Sequence, residues 1–299
     1  MKKAMKVKLS PSDRVYFGIS YVLVILFTLM VLYPLIYIVS ASFSSSSAVN
    51  SGKVWLYPVN FSAYSYKYLL GYRVVWIGYG NTIFYTVAGT AINVIFTILC
   101  AYPLSRKGLI GGGPIAFLFT FTMLFSAGMI PNYMLMRDIK LLNTRWALLL
   151  PGAISVYNMI VTRTFFRNTI PDELLEASKL DGCSDIRYLF SVVLPLSKAI
   201  IAVIIMYYAV GHWNSYFDAF LYLSERSKYP LQIFLRQILV QSSFDTSEIT
   251  DPDMLEQLKG LEDLLKYSII VVATAPLLCV YPFVQKYFVK GVMIGSVKG

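Results

Sequence analysis

The sequence predicts an all-α integral membrane protein with six transmembrane helices, and three observations carry that reading. Of its 299 residues, 57% are hydrophobic and only 14% are charged, where soluble domains carry about 25% charged residues. Mean hydropathy is +0.62. The apolar residues gather into long stretches nearly bare of ionisable groups, with basic residues at their flanks. An ionisable side chain at the centre of a bilayer costs about 2.5–3.5 kcal/mol on insertion scales, so the charge deficit follows from the solvent.

A spanning helix needs about 20 mostly apolar residues. Residues 15–41, 79–105 and 109–136 each satisfy this. The first follows Lys2, Lys3, Lys6 and Lys8 in the manner of a signal peptide. Its apolar stretch is far longer than the ~7–15 residues of a signal h-region, so an uncleaved helix is expected. Residues 146–162 make a shorter span bracketed by Arg145 and Arg163, and 199–217 and 267–285 complete the six. Gly111-Gly112-Gly113-Pro114 is expected to turn the chain at the start of the third span.

An even number of spans places both termini on one side. With the termini inside, 15 of the 26 Lys and Arg residues and 6 of the 16 acids are inside, in agreement with the positive-inside rule. The N-terminus (1–14), the Arg106 loop, a loop at about 167–196 with its flanks and the tail (288–299) are then cytoplasmic, around one membrane domain at 15–287. The external loop 218–266 contains an acidic stretch, 245–263. That stretch reads either as a solvated helix–loop face or as a contact for a soluble partner. The net charge of +10 would suggest nucleic acid in a soluble protein, but here it flanks apolar spans and sets topology. Cys100, Cys183 and Cys279 lie far apart and read as packing residues, and one histidine makes no His-rich metal site.

The loop at 167–196 is a polar island between hydrocarbon-soluble segments. Pro171 suits a first helical turn, and Asp172 and Glu173 suit the positive end of a helix dipole. Ile170, Leu174, Ala177 and Ser178 are expected on one face, with Asp172, Glu173, Glu176 and Lys179 largely away from it. Gly182 can take the positive φ of a sharp turn. Ser184 and Asp185 can start a second helix, with Ile186, Leu189 and Phe190 as its apolar members, and Pro195 marks the return to the membrane. Two short amphipathic helices beneath the bilayer result, either a docking surface or an interfacial loop with no partner.

The order Glu176-Ala177-Ser178-x-x-Asp181-Gly182, followed by Leu194-Pro195-Leu196, resembles the EAA signature of importer-type ABC permeases. Ser178 stands where that family usually has a second alanine, and Ala199 follows Lys198 where proline is common. Gly211-His212-Trp213-Asn214-Ser215-Tyr216-Phe217, Tyr229-Pro230-Leu231-Gln232 and the tail Lys290–Gly299 are similar to carbohydrate-type permeases of the complex-oligosaccharide branch. The resemblance implies the type I ABC importer permease fold in a bacterial plasma membrane. It implies that the island docks on a cytoplasmic ATPase dimer. Glu176 would take the acidic position that pairs with a basic residue of the ATPase cleft, Ala177 the small position permitting close approach, and Gly182 the turn. Ser178, Asp181, Leu194 and Pro195 complete that segment.

The chain has no G-x-x-x-x-G-K-[ST] phosphate loop, so it is expected to be a transport subunit and not an enzyme. It would bind no cofactor itself, with ATP and Mg on the partner ATPase. The resemblance further implies a sister permease, an extracytoplasmic solute-binding protein and an oligosaccharide substrate. Tyr207, Tyr208, Trp213, Tyr216 and Phe217 crowd the outer end of the fifth span. The rings read either as interfacial aromatics or as a substrate path, formed by Tyr208, Trp213, Asn214 and Tyr216, whose rings stack on sugars while Asn214 adds hydrogen bonds. A stand-alone ion-coupled carrier is the competing class, and it expects ionisable groups within the spans.

Overall fold

A computed structural model describes residues 10–240 and 252–295, whose regular elements are all helices; no strand occurs among them. In chain order the helices are α1 (Pro11–Ser42), α2 (Ser46–Asn50), α3 (Tyr64–Gly71), α4 (Arg73–Ser105), α5 (Gly112–Leu124), α6 (Met129–Asp138), α7 (Trp146–Leu149) and α8 (Val156–Thr169). They continue as α9 (Asp172–Leu180), α10 (Asp185–Tyr188), α11 (Leu194–Leu196), α12 (Lys198–Asn214), α13 (Phe217–Tyr222), α14 (Leu231–Val240) and α15 (Pro252–Gly295). Lys2, Lys3, Lys6 and Lys8, the acidic stretch up to Asp251 and the last four residues of the tail lie outside the described residues.

The chain divides into two compact units, one of Met1–Gly71 with Ile238–Val272 and one of Tyr72–Gln237 with Ala273–Gly299. In the first, α1 starts at a capping box. The Ser10 hydroxyl accepts from the Asp13 N–H at 3.2 Å, and the Asp13 carboxylate accepts from the Ser10 N–H at 3.1 Å. The α1 side chains from Val15 to Leu35 are exposed and apolar, a surface for lipid or another subunit. The small core joins Ala41, Ala48, Val49 and Val54 to Leu264. Ser65 and Ser268 share a buried hydroxyl–hydroxyl bond of 2.6 Å.

In the second unit α4 is the central helix, packed chiefly against α12 and α8. Gly89, Asn93 and Thr97 lie along one face of α4 at i, i+4 and i+8. Gly89 lets α12 approach so closely that a Cβ there would collide with the His212 ring. The same ring nitrogen, Nε2, is 2.7 Å from Asn93 Oδ1. One turn further, the Thr97 hydroxyl meets the Tyr208 hydroxyl at 2.6 Å.

Three expected spans take a different form. The stretch 146–162 is not one helix: α7 has four residues, an irregular segment follows, and α8 begins at Val156. Pro151 supplies no N–H and, with Gly152, interrupts the helix. Irregular backbone at membrane depth is tolerated only where protein satisfies it, and α4 and α12 do so here. Asn93 Nδ2 donates to the Gly152 carbonyl at 2.6 Å, and the Ser155 N–H donates to Tyr208 Oη at 3.1 Å. The stretch 109–136 is α5 and α6, bent by 115° at a break where Gly128 has φ 86°. The stretch 199–217 ends early, at Asn214, because Ser215 is extended; α13 is a separate helix. Among the described residues, three helical stretches are long and apolar enough to cross a membrane, Pro11–Ser42, Arg73–Ser105 and Gly260–Pro282, and up to five if each bent helix pair counts as one.

Candidate coupling site and substrate path

α8 ends at Thr169, and Ile170 beyond it is buried. Pro171 is the N-cap of α9 in an extended conformation, so Asp172 and Glu173 occupy the first turn and Lys179 the last. All three charges therefore complement the helix dipole. α9 closes in a Schellman motif: the Cys183 N–H donates to the Ser178 carbonyl at 2.9 Å and the Gly182 N–H to the Lys179 carbonyl at 3.0 Å. This closure needs the left-handed conformation that Gly182 adopts, φ 71°. The Ser184 hydroxyl then caps α10, accepting from the Arg187 N–H at 3.3 Å.

From Asp185 to Leu196 the chain is continuously helical, with a π turn over Leu189–Val193. Pro195 explains the π turn. Its ring would clash with the carbonyl four residues earlier, and widening the helix relieves the clash. The chain then bends by 84° into α12.

The island is fastened to the membrane helices by one apolar cluster. Tyr188, Leu189 and Val193 pack with Ala101, Tyr102 and Leu104 of α4, Met159 and Phe166 of α8, and Ile200, Ile204 and Tyr208 of α12. Tyr188 and Val193 are fully buried. Arg106, just past α4, lies over the Tyr102 ring at 5.1 Å and the Tyr188 ring at 5.7 Å. Beside it, Lys107 Nζ is 2.8 Å from the Asp172 carboxylate. That hydrogen bond holds the Asp172 carboxyl below its ordinary value and raises Lys107. A cleft of about 500 Å³ lies between this turn and α9, lined among others by Arg106, Lys107, Asp172, Glu176 and Lys179.

Of the residues expected to couple, Glu176, Ala177, Asp181, Gly182 and Pro195 are exposed. Ser178 is half-buried, its hydroxyl donating to the Leu175 carbonyl at 2.8 Å, and Leu194 packs against the cluster. The inward face of α9 differs from the expected one. Leu175 and Ser178 turn inward, while Leu174 and Ala177 are exposed. Leu189 is buried, whereas Ile186 is 72% exposed and Phe190 63%. The result is an open apolar strip on the island, extended by Leu180 at 91% exposure. Tyr188 and Arg106 were not singled out from sequence. A tyrosine in a polar loop and an arginine flanking a span carry no pattern that distinguishes them.

The four substrate-path residues divide into two pairs. Tyr208 and Trp213 are only 7% and 6% exposed. Tyr208 is spent on Thr97 and Ser155, and Trp213 Nε1 donates to the Ala273 carbonyl at 3.0 Å. Both hold helices together. Asn214 and Tyr216 are exposed. Asn214 Nδ2 donates back to the Val210 carbonyl at 3.0 Å, and the Arg236 guanidinium lies 4.9 Å from the Tyr216 ring centroid.

The profile of the family described as binding-protein-dependent transport system inner membrane component matches residues 5–294. The chain belongs to that family. It is 43% identical over 290 residues to the polygalacturonan/rhamnogalacturonan transport system permease protein YtcP of Bacillus subtilis (strain 168), covering 96% of this chain and 99% of that one. It is 41% identical to protein LplC of the same organism, over 89% of each chain. Among solved structures it is similar to a chain of a bacterial ABC transporter involved in the import of the acidic polysaccharide alginate. That match has 37% identity and a TM-score of 0.86, covering 95% of this chain and 100% of the other. The protein is thus an ABC importer permease, an inner-membrane transport subunit and not an enzyme. Such a permease works with an ATPase and a solute-binding protein.

Proposed function

We propose that this permease forms half of the translocation path of an importer for oligosaccharides derived from polysaccharides. A sister permease supplies the other half, a cytoplasmic ATPase dimer binds ATP and Mg, and an extracytoplasmic binding protein delivers the sugar. The single observation that carries the coupling role is the cluster around Tyr188 and Val193, which fuses the island to α4, α8 and α12. A displacement of the island therefore moves three helices together, as rigid-body switching requires. Glu176 and Ala177 lie on its exposed side and meet the ATPase cleft, with Ile186 and Phe190 as apolar contacts. The island and both termini are cytoplasmic on the positive-inside distribution of Lys and Arg. The printed functions of the relatives, transport of polygalacturonan or rhamnogalacturonan and import of alginate, support the oligosaccharide class. Asn214 and Tyr216 are the members of the aromatic group with surface to offer a substrate; Tyr208 and Trp213 act behind them.

Affinity purification in mild detergent, with native mass measurement, tests this reading. One copy of this chain with one sister permease and two ATPase copies is the expected result. Recovery of the chain alone or as a homo-oligomer, in several detergents, would contradict it.

A further inference from the structure

The two halves of the island are held unequally. The stretch from Asp185 to Leu196 carries Tyr188, Leu189 and Val193 into the apolar cluster. Among the described residues, α9 has no buried side chain and packs closely against no other helix. It is tethered by buried Ile170 just before it, by partly buried Leu175 and by the Lys107–Asp172 pair. At its far end the chain turns at Gly182, φ 71°. A helix so lightly packed between two anchored ends is a hinged element.

The cleft of about 500 Å³ separates this element from the end of α4, and its lining is charged. It includes Arg106, Lys107 and Lys179, together with Asp172, Glu176 and Asp185. Among the described residues, only Lys107 and Asp172 of these six are ion-paired. Arg106 Nε and Nη2 are buried without a hydrogen-bond partner there, which costs free energy until a partner arrives. After the Lys107 hydrogen bond, the charge of Arg106 also helps to hold the Asp172 carboxyl low, so its field already reaches α9. Asp172 and Glu176 are four residues apart and share one face of that helix. Arg106 and Lys107 are adjacent. Glu176 therefore lies one turn, about 5.4 Å, beyond a contact already made. A small closure of the cleft brings its carboxylate to the guanidinium, whose planar edge stays free while Tyr102 and Tyr188 stack on it.

We propose that Arg106 is a positioning residue for Glu176: the cleft closes in the ATP-bound state, and the guanidinium then pairs with that carboxylate. This rests on the coupling reading above and adds to it the contact that stiffens α9. With the cleft open, a pull by the ATPase on α9 is lost in the hinge. With the cleft closed, α9 is locked to the end of α4 and the displacement passes into that helix. A carboxylate has acceptor sites for two partners, so Glu176 meets the ATPase on one side and Arg106 on the other.

The test is cross-linking across the cleft in the detergent-purified complete complex. Gly108 and Lys179 line it from the α4 side and the α9 side, and no atom lies within 4 Å of where a Gly108 Cβ would be. Gly108→Cys and Lys179→Cys are combined in a chain whose Cys100, Cys183 and Cys279 are replaced by alanine. The probe is a methylene-bridged bis-methanethiosulfonate. MgATP with vanadate is expected to speed cross-linking about tenfold or more over the nucleotide-free complex, the weight of one charged hydrogen-bonded contact. Arg106→Gln and Glu176→Gln each abolish that gain, the double variant falls no further, and Arg106→Lys keeps part of it. If Arg106→Gln loosens the stacked joint, Arg106→Lys and Glu176→Gln, the latter at an exposed residue, carry the same test. A gain that survives Glu176→Gln overturns the inference. Losses that multiply in the double variant also overturn it, since the two residues then act through different partners. A complex that hydrolyses ATP but cross-links at one rate in both states contradicts only the Arg106–Glu176 pair, whereas a chain that retains no ATPase removes the coupling reading as well.

Discussion

The guanidinium of Arg106, one residue past the end of α4, lies 5.7 Å from the ring centroid of Tyr188 in the second helix of the island. Tyr102 flanks the same guanidinium from α4. The end of a membrane helix and the island are thereby joined through a stacked cation, beside the apolar cluster that Tyr188 enters. Among the described residues, neither Arg106 Nε and Nη2 nor the Tyr188 hydroxyl has a hydrogen-bond partner, although all three atoms are buried. The joint is held by stacking and packing, with the Tyr102 hydroxyl donating to the Asp185 carbonyl at 3.4 Å.

Tyr188→Phe and Tyr188→Ala should therefore diverge. Removing a buried hydroxyl that is unpaired is neutral or stabilising, so Tyr188→Phe keeps or raises the unfolding temperature of the detergent-solubilised complex. Tyr188→Ala empties a fully buried ring site and destabilises by about 3–5 kcal/mol. A Phe variant as unstable as the Ala variant would mean that the hydroxyl has a partner.

Tyr208 joins α12 to α4 and to the interrupted segment before α8. Tyr208→Phe removes the acceptor for the Ser155 N–H and the partner of Thr97, at a cost of about 1–3 kcal/mol. Thermal unfolding should register this loss, while the ratio of uptake rates for different oligosaccharides stays at the wild-type value. A changed ratio would place Tyr208 on the sugar.

Gly182 is needed for its backbone and not for space. No atom lies within 4 Å of where a Cβ would be, yet φ is +71°. The left-handed conformation costs a residue with a Cβ about 1–2 kcal/mol, and Asn less than Ala. Gly182→Ala should lower substrate-stimulated ATP hydrolysis severalfold, Gly182→Asn less, with membrane insertion of both unchanged. Equal rates for Ala and wild type would show that the Schellman turn is not required for docking.

The Lys107–Asp172 pair has a defined pH window. Asp172 is held below its ordinary 3.8, so its contribution is complete above that value and fades as pH falls through the depressed one. Lys107 is raised above 10.5, so its contribution is complete below that value and fades as pH rises through the raised one. Both partners are charged from about pH 5 to about pH 9. The ratio of hydrolysis rates of Lys107→Met and wild-type complexes should be flat across that window. A slope within it would assign Lys107 a partner that titrates there.

The helical class and the position of the island were legible because both rest on local pattern: uncharged runs, and a proline, acids and a glycine at helix-terminal spacing. The internal breaks were not. Pro151-Gly152 sits inside an apolar stretch that reads as a span, and only Asn93 and Tyr208, far away in sequence, make the broken backbone tolerable. The inward face of α9 was placed one residue off, on Leu174 instead of Leu175, because both are leucines and tertiary packing chooses between them. Tyr208 and Trp213 carried the same difficulty. An aromatic at a helix end has one signature whether it meets a sugar or a neighbouring helix. The Arg236–Tyr216 contact gave no signal at all, since the ring lies 20 positions upstream.

The central claim, that the island's exposed side engages the ATPase, is tested most directly by substrate-stimulated ATP hydrolysis in the reconstituted complex carrying Glu176→Lys. Glu176 is exposed and lines the cleft beside Lys107, so reversing its charge spares the fold. Normal insertion and assembly are expected, with stimulated hydrolysis reduced about tenfold or more, the effect of opposing a like charge in a buried contact. Stimulated hydrolysis at the wild-type rate would contradict it.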